Sequence, residues 1–141
     1  MSFLTVVRFR LDLWLSARSL PWRVAGKSFE QVLATASTNG RVDYAGLPVD
    51  YVARRVRKSV RRPWLMRDRR CLREGLLGFK FLSSSGHSPE LHFAVDPASV
   101  STERISAHCW VCIDGKPVVG DRLGDQVTIF IHRARPASGE A

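Results

Sequence analysis

The sequence predicts an α+β fold in which helices come first and a small antiparallel sheet follows. Apolar residues in the first half recur every three or four positions, which is the period of amphipathic helices. The second half contains short runs rich in β-branched and aromatic residues, and Asp114-Gly115 between two of them is a strong hairpin signal. With 141 residues, of which 45% are apolar, the chain is long enough for one domain with a modest core.

Three helices are predicted in the first half of the chain. Apolar residues from Phe3 onward predict the first, and Pro21 is expected to end it or to begin the next. Ser28 has the side chain and the position of an N-cap for a helix over 29–36. The third is predicted over 49–60, with valines on one side and arginines on the other.

A fourth helix and four short strands are predicted in the second half. The helix covers 70–82, and the Ser-Ser-Ser-Gly run after it is expected to close it. The strands are expected at 90–95, 106–113, 116–120 and 126–132. The order of these elements predicts that the fourth helix packs on the sheet.

Positive charge is concentrated between the third and fourth helices. The net charge is +9, and the stretch 54–70 contains nine basic residues and a single acid, Asp68. Such a block attracts an acidic protein segment or a polyanion, but it is also typical of a solvated helix face. The candidate docking residues on it are Arg54, Arg55, Arg57 and Lys58, with Trp14 and Trp22 as apolar anchors elsewhere.

The chain is expected to be a complete cytoplasmic protein without a targeting segment. No apolar run approaches the roughly 20 residues that a transmembrane helix needs. The apolar stretch 1–7 is too short for a secretory signal, and the charged residues Arg8 and Arg10 prevent its extension. Three cysteines are an odd number, which favours free thiols over a disulfide framework. Neither a cofactor nor a membrane partner is expected.

Cys71 is the candidate nucleophile. It lies near the start of the predicted fourth helix, where the helix dipole and free backbone amides favour a thiolate. Arg67, Arg69, Arg70 and Arg73 are expected to add positive charge. A thiolate in this position suits covalent catalysis. Taken alone, a cysteine such as Cys71 is more often a small apolar packing residue than a nucleophile.

His108 is the candidate base, at the start of the strand that precedes the hairpin turn. A histidine there can direct one ring nitrogen at a thiol on a packed helix, while the other needs an acceptor. Hairpin pairing brings residues near Asp121 towards His108, so Asp121 is the expected third member, with Asp125 as the alternative. Asp114 lies in the turn, roughly 20 Å from His108 along the strand. By itself, His108 could also be a satisfied core histidine.

Two other kinds of site were weighed against this interpretation. His108, Cys109 and Cys112 could join Cys71 around zinc, but Cys109 points away from the other two strand residues, and paired Cys-x-x-Cys turns are missing. Cys109 and Cys112 are therefore expected to be packing residues. The charge also allows a nucleic-acid-binding module, although no recognised binding signature accompanies it.

Several motifs in the second half resemble a known peptidase family when taken in order. Cys71-Leu72 begins a helix that Gly86 closes, a strand comes next, and Ala107-His108-Cys109-Trp110-Val111 precedes the Asp114-Gly115 turn. This order resembles the stand-alone leader peptidases (B2 proteins) of lasso-peptide biosynthesis, which are transglutaminase-like cysteine peptidases. The resemblance covers about 63–121.

The resemblance implies a papain-like core in which a nucleophile helix packs on a small antiparallel sheet, with a Cys-His-Asp triad formed by Cys71, His108 and Asp121. It also implies one peptidase domain over 1–133, with a helical, basic part (1–62) and a catalytic core (63–133). The small and polar residues of the C-terminus predict a disordered tail over 134–141. The sequence departs from the family at Glu74-Gly75, where alanines are usual, and at Cys112, where glutamate is common.

The activity implied by the resemblance is removal of the leader from a ribosomally made lasso precursor. The implied partners are the leader region of the precursor, a separate leader-recognition (B1) protein and, as a further candidate, the lasso cyclase. Two alternatives stay open: an acyltransferase on the same fold, and a small basic nucleic-acid-binding module without catalysis.

Overall fold

A computed structural model describes residues 2–61, 70–97, 107–120 and 126–133 of the chain. Within these ranges it contains four helices and one four-stranded antiparallel sheet, so the predicted α+β class is confirmed. In chain order the elements are α1 (Phe3–Val24), α2 (Phe29–Thr35), α3 (Val49–Ser59), α4 (Arg70–Ser84), β1 (Glu90–Val95), β2 (Ala107–Ile113), β3 (Lys116–Val119) and β4 (Val127–Arg133).

Helix α1 continues through Pro21, so the expectation that this proline ends the helix or begins the next was wrong. Proline cannot donate the usual backbone hydrogen bond, which weakens a helix interior. Leu20 and Val24 are nevertheless buried on either side of Pro21, as are Phe9 and Leu13 earlier in the helix. Their burial against the rest of the protein offsets the lost hydrogen bond.

The other face of α1 presents large apolar side chains to solvent. Phe3, Leu11 and Leu15 are exposed on it. The two tryptophans expected to be available for docking are also exposed, Trp14 to 51% and Trp22 to 69%. The apolar spacing in the first helix therefore marks an exposed face as well as the buried one.

Local sequence signals explain the next two helices. Ser28 caps α2, and its side chain and that of Gln31 bond each other's backbone amides in a capping box. In α3 the predicted valine face is buried through Val52 and Val56, and the C-cap residue Val60 is buried as well. The arginine face of α3 is left on the outside.

The sheet has the strand order β3-β2-β1-β4. The turn between β2 and β3 has positive φ angles at both Asp114 and Gly115, 51° and 79°, as a tight two-residue hairpin requires. β3 forms one edge of the sheet and contains Pro117. Proline lacks a backbone N–H, and it is tolerated on an edge strand because no further strand needs that donor. β1 lies inside the sheet between β2 and β4.

The main core lies between the helices and one face of the sheet. Cys109 and Val111 of β2 point into it, whereas Trp110 and Cys112 form a separate buried cluster with Ala94 on the other face. This alternation is the side-chain period of a strand. In the described parts of the chain, no helix combines the length and apolar character needed to cross a membrane.

Candidate active site

Cys71 occupies the second position of α4 and is half-buried. Its placement near the start of this helix confirms the expected position. The backbone N–H groups of a first helical turn have no acceptor within the helix. The N–H of Cys71 is therefore a candidate donor to an oxygen atom outside the helix.

Strand β2 brings two consecutive residues to Cys71. Both His108 and Cys109 hydrogen-bond with the Cys71 side chain, and the Cys109 thiol also donates to the Cys71 carbonyl oxygen over 3.0 Å. Consecutive strand residues point to opposite faces. Contact with both places Cys71 beside the first residues of β2, where side chains from either face can reach it.

Glycines on α4 allow the helix to approach the sheet this closely. A Cβ at Gly75 would lie 3.0 Å from both the Cys109 Sγ and the Leu91 Cδ1. A Cβ at Gly78 would lie 3.1 Å from the methyl groups of Val119 on β3. The packing that holds Cys71 against β2 thus depends on the absence of side chains at these two positions.

The contacts with β2 lower the pKa of Cys71 from 9.0 to about 5. The hydrogen bond from the Cys109 side chain is the largest cause, and a backbone hydrogen bond from Cys109 and the hydrogen bond and charge of His108 act in the same direction, while burial opposes them. The pKa of Cys109 is raised, first by its hydrogen bond with Cys71 and then by burial. At neutral pH Cys71 is therefore the thiolate and Cys109 the thiol.

Among the described residues, the groups that lower the pKa of Cys71 are Cys109 and His108, and not the neighbouring Arg70 and Arg73. Arg67 and Arg69 lie outside the described residues. Arg73 is itself buried, which lowers the pKa of its guanidinium. Sequence reasoning also missed Cys109, which was expected only to pack.

An aromatic residue positions His108. Its ring stacks on the indole of Trp110, with centroids 5.9 Å apart and an interplanar angle of 30°. Trp110 is 2% exposed, and its ring also stacks on His92 of β1, with centroids 5.6 Å apart. His108 is held by backbone pairing as well, since it lies opposite Ala94. The candidate base His108 is thus positioned by both strand register and a buried side chain.

A family model of the transglutaminase-like superfamily matches residues 3–131. The chain belongs to this superfamily. The superfamily includes cysteine peptidases and acyltransferases. No curated protein matches the chain, and no solved structure does.

The third member of the predicted triad, an aspartate, stays a prediction. Asp121 and the alternative Asp125 lie outside the described residues. Within them, Val119 pairs with Val111, and Gly120 lies against Trp110. The hairpin therefore returns towards the beginning of β2, as the sequence predicted.

The four expected docking residues of α3 differ in exposure and in their contacts. Arg54 and Lys58 are exposed. Arg57 is exposed too, but its Nη2 donates to the carbonyl oxygen of Val118 over 2.8 Å and ties α3 to β3. Arg55 is partly buried. Arg54 and Lys58 are thus the exposed members of the set that are not tied to β3, and the Arg54 guanidinium lies 5.9 Å from the centroid of the Tyr51 ring.

A cavity of about 530 Å³ opens at the other end of α4 from Cys71. It is lined by Lys80 and Ser84 of α4 and by residues of α1, including Arg8 and Asp12. Lys80 lies nine positions after Cys71 in the helix, which corresponds to about 14 Å along its axis. The cavity is therefore separate from the Cys71 site. No metal-binding group of three or more histidine, cysteine or acidic residues occurs in the described ranges.

Proposed function

We propose that the protein is a cysteine peptidase that removes the leader from a ribosomally made lasso precursor peptide. The observation that carries the proposal is the position of Cys71 at the start of α4 beside His108 of β2, where hydrogen bonding and the charge of His108 lower the pKa of its thiol. Membership of the transglutaminase-like superfamily supports cysteine-based acyl chemistry. The order of motifs around Cys71 and His108 supports the choice of a lasso leader as substrate.

In the proposed reaction the Cys71 thiolate attacks the scissile carbonyl carbon. The backbone N–H of Cys71 is a candidate donor to the oxyanion that forms. As the carbon–nitrogen bond breaks, His108 gives its proton to the leaving amine, and a thioester with Cys71 remains. His108 then takes a proton from water, whose oxygen attacks the thioester, and the Cys71 thiolate leaves.

Asp121 is proposed to orient His108 and stabilise its imidazolium form. The return of the β2–β3 hairpin towards Trp110 supports this role, because Asp121 directly follows Gly120. Asp125 takes the role if Asp121 does not reach His108. The proposed partners are the precursor leader, a leader-recognition protein and the lasso cyclase.

The test is incubation with a cognate precursor and its leader-recognition protein, followed by mass spectrometry. The wild-type protein should release leader and core peptides whose summed mass exceeds that of the precursor by one water. Cys71→Ala should release neither, whereas Cys112→Ala, which removes another buried cysteine, should release both. Full cleavage by Cys71→Ala would overturn the mechanism.

The same thioester could be attacked by an amine, which would make the protein an acyltransferase. The superfamily includes such enzymes, so the experiment must separate the two outcomes. Adding a small primary amine to the reaction does so, since hydrolysis leaves a free carboxylate and transfer leaves an amide. A dominant amide product would favour the acyltransferase over the peptidase.

A further inference from the structure

Two cysteines meet at the candidate active site. The Sγ of Cys109 lies 3.0 Å from the carbonyl oxygen of Cys71, and the two side chains hydrogen-bond with each other. Both are free cysteines. Cys109 is 3% exposed, whereas Cys71 is half-buried. Substrate can therefore reach Cys71, while Cys109 stands behind it on the core side.

The helix carries a matching gap at Gly75. An added Cβ at this position would approach the Cys109 Sγ to 3.0 Å, closer than such atoms normally come. Glycine weakens a helix relative to alanine, because it loses more conformational freedom on folding. In α4, a residue with low helix propensity, Gly75, therefore occupies the position where the Cys109 thiol needs space.

We propose that Cys109 is a positioning residue for the Cys71 nucleophile, and that Gly75 provides the space for it. The Cys109 thiol holds the first turn of α4 through the Cys71 carbonyl oxygen, and it offers its proton to the Cys71 sulfur, which favours the thiolate. This inference rests on the proposed role of Cys71 as the nucleophile.

The division of roles between the two sulfurs is explained by their surroundings. A thiol has one proton, so Cys109 donates either to the carbonyl oxygen or to the sulfur of Cys71 at a given moment. The other groups that act on the pair in the described ranges are His108 on β2, which favours a negative Cys71, and Glu74 on α4, which disfavours a negative Cys109. Both therefore support a thiolate at Cys71 and a protonated donor at Cys109.

The pH dependence of alkylation at Cys71 tests the proposal without any peptide substrate. Iodoacetamide reacts with the thiolate, and peptide mapping by mass spectrometry assigns the label to Cys71. Cys109→Ala should move the alkylation midpoint upward by at least about one pH unit, and Cys109→Ser, which keeps a hydroxyl donor, should recover part of the shift. Cys112→Ala is the matched control and should leave the midpoint unchanged.

An unchanged midpoint in folded Cys109→Ala would overturn the proposal. Equal upward shifts in the alanine and serine variants would do the same, because they would indicate a packing role without hydrogen-bond donation. Alkylation does not depend on peptide cleavage. A shifted midpoint in a protein that cleaves no precursor would therefore contradict the proposed peptidase function and leave the role of Cys109 supported.

The space at Gly75 is tested by a double-mutant cycle with Cys109. Gly75→Ala should lower the melting temperature and raise the alkylation midpoint when Cys109 is present. In the Cys109→Ala background the same substitution should lower the melting temperature much less. Equal losses in both backgrounds would mean that Leu91, the other neighbour of the added Cβ, sets the requirement for glycine, which would overturn this part of the proposal.

Discussion

The imidazole of His108 stacks on the buried indole of Trp110, two residues further along the same strand. Side chains two residues apart on a strand share a face, so the stacking is a direct result of strand geometry. The contact restricts the ring of the proposed base. It also gives Trp110, known from the sequence only as part of a motif, a physical role.

Trp110→Phe should lower kcat about tenfold while leaving KM within about twofold. Phenylalanine retains an aromatic face but fills less space, so His108 gains freedom to leave its productive orientation. Steady-state kinetics on the precursor with its recognition protein would measure the change. A loss confined to KM would contradict an orienting role and point to substrate contact.

Replacing His108 by alanine should reduce cleavage about as strongly as Cys71→Ala, by at least about 10³-fold, since nucleophile and base act as a unit. The alkylation midpoint of Cys71 should also rise, because a hydrogen bond and a nearby charge that favour its thiolate are lost. His87→Gln is a suitable control, since His87 bonds the Leu47 carbonyl away from the site. Substantial cleavage by His108→Ala would require another base.

The third member of the triad is tested by Asp121→Asn and Asp125→Asn in parallel. Replacing the aspartate that orients His108 should lower kcat by about 10²- to 10⁴-fold, since an amide no longer stabilises the imidazolium. The other variant should retain most activity. If both retain it, neither aspartate orients the base.

The basic face of α3 is tested by reversing the charge of Arg54, Lys58 and Arg61 to glutamate. All three are exposed, and leaving Arg57 in place preserves its bond to Val118. If this face docks an acidic leader or partner, KM for the precursor with its recognition protein should rise several-fold at low salt and differ less at high salt.

The matched control for the α3 variant is a triple reversal at Arg10, Arg18 and Lys27, which changes the net charge equally on another exposed surface. Equal KM values for the wild type and the α3 variant at low salt would mean that the basic face is solvated surface only. An effect of the control alone would place docking on the exposed apolar side of α1.

Protein stability should depend on pH through the two thiols. The pKa of Cys71 is about 5 in the folded protein and about 8.5 in an unfolded chain, so its stabilising contribution is complete above about 8.5 and is lost as the pH falls to 5. The raised pKa of Cys109 has the opposite effect on stability. The Cys109 thiol contributes to the free energy of unfolding at low pH, and this contribution is lost as the pH rises above about 8.5.

Denaturant titrations should therefore show the free energy of unfolding of the wild type rising between pH 5 and 8, by up to about 1.4 kcal/mol per pH unit more than in Cys71→Ser. Parallel pH profiles of the two proteins would contradict a native thiolate at Cys71.

Local sequence signals predicted the elements that surround the site. A helix from Arg70 and a strand over Glu90–Val95 are predicted by apolar spacing, and the turn at Asp114-Gly115 is predicted by residues that accept positive φ angles. These features depend on neighbours along the chain. Because they do, Cys71 and His108 could be paired from the sequence alone.

Features that depend on distant contacts were harder to predict. The passage of α1 through Pro21 depends on burial of Leu20 and Val24 against other elements. Cys109 was expected only to pack. Its contact with Cys71 could not be predicted, because the contact forms only when α4 docks on β2. The departure from alanine at Gly75 was a visible signal, but its reason required the distance to the Cys109 sulfur.

The position of β1 between β2 and β4 has a consequence for the order of folding. β2 lies closer to β1 along the chain than β4 does, so its loop is cheaper to close, and the pairing that carries His108 can form first. Until β4 arrives, the opposite edge of β1 is open to pairing with another chain. Pairing with β4 satisfies this edge of β1, and β4 itself, with Val127 and Ile129 exposed, then forms the edge of the described sheet.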